Sequence, residues 1–203
     1  NKDEIKTRNI LSSVSFLKRK DFLIITLLGL TLMGTYYSFH LFLSLILDNN
    51  YNFSPFYIGL FLTVYGLVDS LFVYVGGNLS DYFAPRNVLL TSSFLAGLGA
   101  LIFAVLMGMH PYFLLGAFLI FGVGVGIGTT PLVTYVMSLF PKQKGSAVGI
   151  TNFVRLMGAS IVPFGGFFII EIFSESLLFI LCGLSISLFV ILSYLLTESD
   201  LTG

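Results

Sequence analysis

The sequence predicts an all-α, polytopic membrane protein with six transmembrane helices, and three observations carry that prediction. Of its 203 residues, 56% are hydrophobic and only 10% are charged, too few charges to cover a water-facing surface. Six apolar runs reach the roughly 20 residues that a helix needs to cross a hydrocarbon core about 30 Å thick. Lipid offers the backbone no hydrogen-bond partner and these runs are too long for barrel strands, so each run is expected to be helical. The third observation is where the basic residues fall. Lys2, Lys6, Arg8, Lys18, Arg19 and Lys20 precede the first run, Arg86 follows the second, and Lys142 and Lys144 follow the fourth. The intervening connections, "DNNYNFS", "GMHP" and "EIFSES", contain neither Lys nor Arg. The positive-inside rule then places the basic end and both termini in the cytoplasm, with the plasma membrane as the expected location.

Residues 1–21 are polar and lack the order of charges, apolar stretch and cleavage site of a signal peptide, so they read as a cytoplasmic linker or tail. The chain begins with Asn1 rather than Met, as expected of a piece of a longer polypeptide or a processed form. Residues 22–196 form the bundle. Its first span, Phe22 to Leu47, carries Tyr36, Tyr37, His40 and Ser44. In a helix lining a cavity, such a strip binds an amphipathic organic molecule by stacking and hydrogen bonding. The alternative is that His40 is a hydrogen-bonded packing residue.

The second span, Pro55 to Val75, contains Asp69, and the fifth, Ser146 to Ile170, contains Arg155. A charge at a helix centre costs about 2.5–3.5 kcal/mol on insertion scales, which points to a use in charge pairing or proton coupling. At ~1.5 Å per residue the two lie at depths within one turn of each other, about 12 and 16 Å from the basic end. They are expected to face protein or a water-filled cavity, paired with each other or with separate partners. The third span is Val88 to Met109 and the fourth Tyr112 to Met137. Within the fourth, "GVGVGIGTTP" fails the G-x-G-x-x-G phosphate-loop pattern, because its glycines recur every second residue and no strand precedes them. They are read as thinning the helix for packing, with Pro131 able to kink it. The sixth span, Ser176 to Leu196, holds Cys182 as a small buried apolar residue, and residues 197–203 form a cytoplasmic tail. In the fifth, Gly149, Ala159 and Gly166 recur near helical spacing, which permits close helix approach, and Pro163 removes a backbone hydrogen bond.

Two motifs carry a family resemblance. "GGNLSDYFAPR" supplies Gly77, Leu79, Asp81 and Arg86, which resembles the G-x-L-x-D-R-x-G-R-R/K signature between the second and third helices of each half in the major facilitator superfamily. Tyr82, Ala84 and Pro85 depart from it, a decay typical of the second copy, which favours the C-terminal half. "GITNFVRLMGASIVPFGG", with Gly149, Gly158, Pro163, Gly165 and Gly166, is similar to the G-x8-G-x3-G-P-x2-G-G motif of the drug/proton antiporter branch. The resemblance implies half of a major facilitator fold. It makes the first and fourth spans cavity-lining, the second and fifth the interface between halves, and the third and sixth lipid-facing. It also implies that Gly77, Leu79, Asp81 and Arg86 form a gating loop. There Asp81 latches onto the positive end of a helix in the other half, and Arg86 holds the loop or orients Asp81.

The function so implied is transport of a small organic solute by alternating access, as proton-coupled efflux. Its partners are the bilayer, the other six-helix half, the solute and protons. A non-transporting scaffold or sensor is the alternative. An intramembrane protease is disfavoured because no G-x-S-G occurs. An enzyme is not expected, nor is a cofactor. Two distant histidines and one cysteine offer no metal site, and the few basic residues, already explained by topology, give no support to nucleic-acid binding.

Overall fold

The computed structural model describes residues 19–201, with side chains described to residue 195. Lys2, Lys6, Arg8, Lys18, the linker before residue 19 and the side chains of the acidic tail lie outside the described residues. Six helices follow in order: α1 (Lys20–Tyr51), α2 (Pro55–Tyr82), α3 (Pro85–Leu106), α4 (Pro111–Leu139), α5 (Lys144–Ile172) and α6 (Glu175–Leu201). All six are long and apolar enough to cross a membrane. Proline opens α2, α3 and α4, where its missing N–H is one the first helical turn could not satisfy in any case. Asn52 ends α1 in the left-handed region at φ 53°, its N–H returning to the Asp48 carbonyl while Phe53 N–H reaches Leu47.

The second helix corrects one expectation. Gly77, Leu79 and Asp81 do not lie in a connecting loop: they belong to the last two turns of α2, which runs to Tyr82. Arg86 is the second residue of α3, so the connection shrinks to Phe83 and Ala84. The apolar run stops near Val75, but nothing forces a helix to end where lipid ends, and no proline appears before Pro85.

Chain neighbours are mostly not the packing neighbours. The closest pairings are α3 with α4, α1 with α5, α2 with α4, and α3 with α6, while α1 meets α2 and α2 meets α3 only sparsely. Where α1, α3, α4 and α6 converge, Phe39 is fully buried with its ring 4.8 Å from Phe103 and 4.5 Å from both Phe121 and Phe179. The alternating glycines of α4 explain its central place. Two residues advance a helix by about 200°, so every second position falls on nearly opposite faces. Gly122 and Gly126 face Tyr65 and Asp69 of α2, whereas Gly124 and Gly128 face Ala96 and Ser92 of α3. One run of small residues thus admits a helix on each side.

Polar contacts tie both ends. At the basic end, Arg86 donates to the Ser193 carbonyl of α6, and the Arg19 guanidinium donates to the Leu139 carbonyl at 3.2 Å and lies over the Phe140 ring. At the other end Asn50 donates to Glu175 at 3.0 Å and the Tyr51 hydroxyl to the Met109 carbonyl at 2.8 Å. Arg86 therefore holds α3 to α6. It forms no ion pair with Asp81, which is exposed; among the described residues the one ion pair is Arg19 with Asp21.

Candidate functional site

A cluster of buried polar and aromatic side chains lies where α1, α2 and α4 meet. Tyr36 and His40, one turn apart on α1, place their rings 4.6 Å from each other. Both face Tyr65 of α2, with ring centroids 5.8 Å and 5.2 Å away. Tyr65 is fully buried and stacks on Phe118 of α4 at 3.9 Å with planes 11° apart. Its ring fits because residue 122 is glycine: a Cβ there would come within 2.5 Å of Tyr65 Cε2. Asp69 follows Tyr65 by four residues, one turn along the same face of α2. A Cβ on Gly126 would lie 2.6 Å from the Asp69 carbonyl oxygen and 3.2 Å from its Oδ1, so a second glycine makes room for the carboxylate.

Three polar atoms of this cluster are buried without a hydrogen-bond partner: His40 Nε2, the Tyr65 hydroxyl and Asp69 Oδ1. An unsatisfied buried group typically costs about 1–3 kcal/mol, so three in one region of the bundle are a recognisable expense unless something else binds them. Chemically the cluster offers a carboxylate able to carry a proton, a phenol and an imidazole able to pass or share one, and aromatic faces for stacking.

Arg155 sits elsewhere. Its stem packs against Gly29 of α1, where a Cβ would be 3.0 Å from Cγ, and Nη2 approaches Met33 Sδ at 3.9 Å. Asp69 and Arg155 form no ion pair, so direct pairing, one of the two arrangements expected, is replaced by separate environments. Similar depth was legible because it depends on residue count. Azimuth was not: Asp69 faces the Gly126 side of α4, and Arg155 faces the side carrying Val125, Thr129 and Leu132.

Of the α1 strip, Tyr36 and His40 enter the cluster. Tyr37 is 42% exposed beside Tyr36 at 5.5 Å, and Ser44 is turned back to the Leu41 carbonyl of its own helix at 2.8 Å. Tyr65 escaped sequence reasoning although its spacing from Asp69 was a usable signal. On α5, Gly158 meets the Leu30 carbonyl region and Gly166 meets Phe42 and Leu178, while Pro163 is buried. Gly149 and Gly165 meet no atom within 4 Å, so their packing role is not exercised within this bundle. Helical spacing groups residues on a face without saying whether that face is covered.

Comparison with known proteins agrees with this architecture. A riboflavin transporter, RibZ, of Clostridioides difficile (strain 630) is 25% identical over 175 residues, covering 86% of this chain and 38% of that protein. The arabinose-proton symporter of Bacillus subtilis (strain 168) is 29% identical over 119 residues, 58% of this chain and 25% of the symporter. Dityrosine transporter 1 of Saccharomyces cerevisiae is 28% identical over 155 residues, 64% of this chain and 26% of the yeast protein. The chain thus spans a quarter to two fifths of the curated relatives it matches. The inward-open xylose transporter XylE from E. coli shares the fold at a TM-score of 0.66 and 21% identity, over 85% of this chain and 46% of XylE. Residues 22–202 match the family model described as Major Facilitator Superfamily, and the chain belongs to that family.

Proposed function

We propose that the chain is one six-helix half of a transporter that moves a small organic solute by alternating access, coupled to protons and directed outward, with Asp69 as the proton carrier. The observation that carries this reading is the trio of unpartnered polar atoms, His40 Nε2, the Tyr65 hydroxyl and Asp69 Oδ1, around aromatic faces within membrane-spanning helices. An aspartate that takes up a proton becomes a hydrogen-bond donor, and an imidazole or phenol of the same cluster can accept or relay that hydrogen bond. Protonation thereby alters which groups in the cluster are satisfied, a differential free energy of the kind that shifts a two-state equilibrium. Among the relatives, a proton symporter supports proton coupling, and transporters named for riboflavin and dityrosine, both aromatic molecules, support an aromatic-lined site.

The remaining assignments follow from the same reading. The exposed faces of α2 and α5 meet the second half, in the same polypeptide or in another copy. The basic end faces the cytoplasm of a cell whose plasma membrane holds the protein. Asp81, exposed in the last turn of α2, latches the halves through a helix N-terminus, worth about 0.3–2 kcal/mol.

The test is Asp69→Asn in the full-length protein, reconstituted in liposomes with an imposed pH gradient. Solute exchange between equal pools should persist, while accumulation driven by the gradient should disappear. Unchanged gradient dependence would remove Asp69 from coupling.

A further inference from the structure

Arg155 is a permanent cation in a membrane-spanning helix without a carboxylate neighbour among the described residues. Its guanidinium has five N–H donors, yet its one hydrogen-bond contact is the weak approach to Met33 Sδ at 3.9 Å. The stem nevertheless packs against α1. It lies against Gly29, where a Cβ would be 3.0 Å from Cγ, and Gly29, Met33, Val125, Gly128 and Leu132 are among the residues that enclose a cavity of only about 20 Å³ beside it. That space, which Met33 also lines, holds about one water molecule, so any larger partner must meet the guanidinium outside it, where Arg155 is half-exposed. On α1, Met33 lies one turn, about 6 Å, from Tyr37 on the same face. Tyr37 is exposed, with Tyr36 edge-on to it. An unneutralised guanidinium thus touches Met33, which stands one turn from an exposed aromatic side chain on the same helix.

We propose that Arg155 is the anion-binding residue of the transport site and that the solute is an aromatic monocarboxylate whose carboxylate lies about one helical turn from its ring. The planar fork of a guanidinium matches a carboxylate through two parallel hydrogen bonds. One guanidinium balances one negative charge, which favours a monocarboxylate over a phosphate dianion. Asp69 serves a separate purpose in this arrangement, because it faces a different side of α4 and leaves Arg155 free to hold the solute. This inference rests on the transporter reading and names the solute class for it.

The test is equilibrium binding to the full-length protein in detergent, with no transport required, using 3-phenylpropionate, its neutral amide 3-phenylpropionamide and the cationic amine 3-phenylpropylamine. The acid should bind at least tenfold more tightly than the amide or the amine, and Arg155→Gln should abolish that preference. Arg155→Lys, which retains charge but not the fork, should keep the preference at reduced affinity. Equal binding of acid and amide, preference for the amine, no binding of the acid, or an unchanged preference in R155Q would each overturn the assignment. If R155Q does not fold, loss of the acid preference in folded R155K overturns it as well. Failure of the transporter reading is seen separately: Arg155-dependent binding of the acid without its movement into or out of liposomes would leave the anion site and remove transport.

Discussion

Helices α2 and α3 follow one another in the chain and are almost equally apolar, yet 61% of an apolar 18-residue stretch of α3 is buried in the bundle against 11% of the corresponding stretch of α2. The difference teaches what organises a protein in lipid. Apolar side chains gain little by leaving one hydrocarbon environment for another, so hydropathy sorts helices into the membrane but not against each other. Small residues do that. On α3, Ser92, Ser93, Ala96, Gly97, Gly99 and Ala100 let α4 and α6 approach closely. The outer face of α2 carries Leu60, Leu67, Leu71 and Tyr74 instead. Where α2 does pack on α4, Gly122 and Gly126 admit Tyr65 and Asp69 of α2, and Gly76 of α2 admits the Ile127 backbone. One helix is therefore a wall and the other brings polar chemistry to the bundle's inner surface.

The largest expected effect tests the wall. A Cβ on Gly124 would lie 2.5 Å from the Ala96 backbone nitrogen and 2.7 Å from the Ser92 carbonyl oxygen, and backbone cannot swing aside as a side chain can. Gly124→Leu should lower stability by about 3 kcal/mol, the upper end of ordinary overpacking penalties, and reduce the yield of folded protein. Gly59→Leu on α2, where nothing lies within 4 Å, should change the melting temperature little. Equal losses from the two substitutions would mean that the contrast between α2 and α3 does not describe the protein in its membrane.

The next effect is functional and should dissociate from stability. Tyr65→Phe keeps the ring against Phe118 and removes a hydroxyl that lacks a partner. Stability should stay level or rise by about 1 kcal/mol, because an unsatisfied buried group is removed. Gradient-driven transport should fall about tenfold. A variant both as active and as stable as the parent would make Tyr65 a packing residue and weaken the polar cluster as a site.

What the sequence revealed follows the same division. The six spans could be read because lipid imposes a minimum apolar length, and the α4 glycines could be assigned to packing because period two on a helix serves two faces. Depth was available for Asp69 and Arg155, since it needs only counting. Their separation was not, because which side of α4 each helix occupies is fixed by long-range packing, including the contacts of Gly76 of α2 with Ile127 and of Gly126 of α4 with Asp69. The Arg86 contact with Ser193 was hidden for the same reason: it joins residues 107 apart. Tyr65 was missed because a tyrosine in an apolar run resembles many others until its neighbours are known.

The smallest effect asks what covers α5, whose corresponding 18-residue stretch is only 17% buried. Gly149 and Gly165 face open space, so within this bundle Ala at either position should be tolerated and add about 0.5–1 kcal/mol through helix propensity. Glycine in such places has a reason if another helix comes close there in the complete protein. In the full-length polypeptide, the Gly149→Ala, Gly165→Ala double variant should therefore lose up to about 1 kcal/mol of stability instead of gaining it, and transport should slow as the two halves are held apart. Thermal melting of the double variant against the parent decides the sign. A rise in stability would assign these two positions of α5 to lipid, and the interface between halves would have to be sought on α2 and on the Tyr37 side of α1.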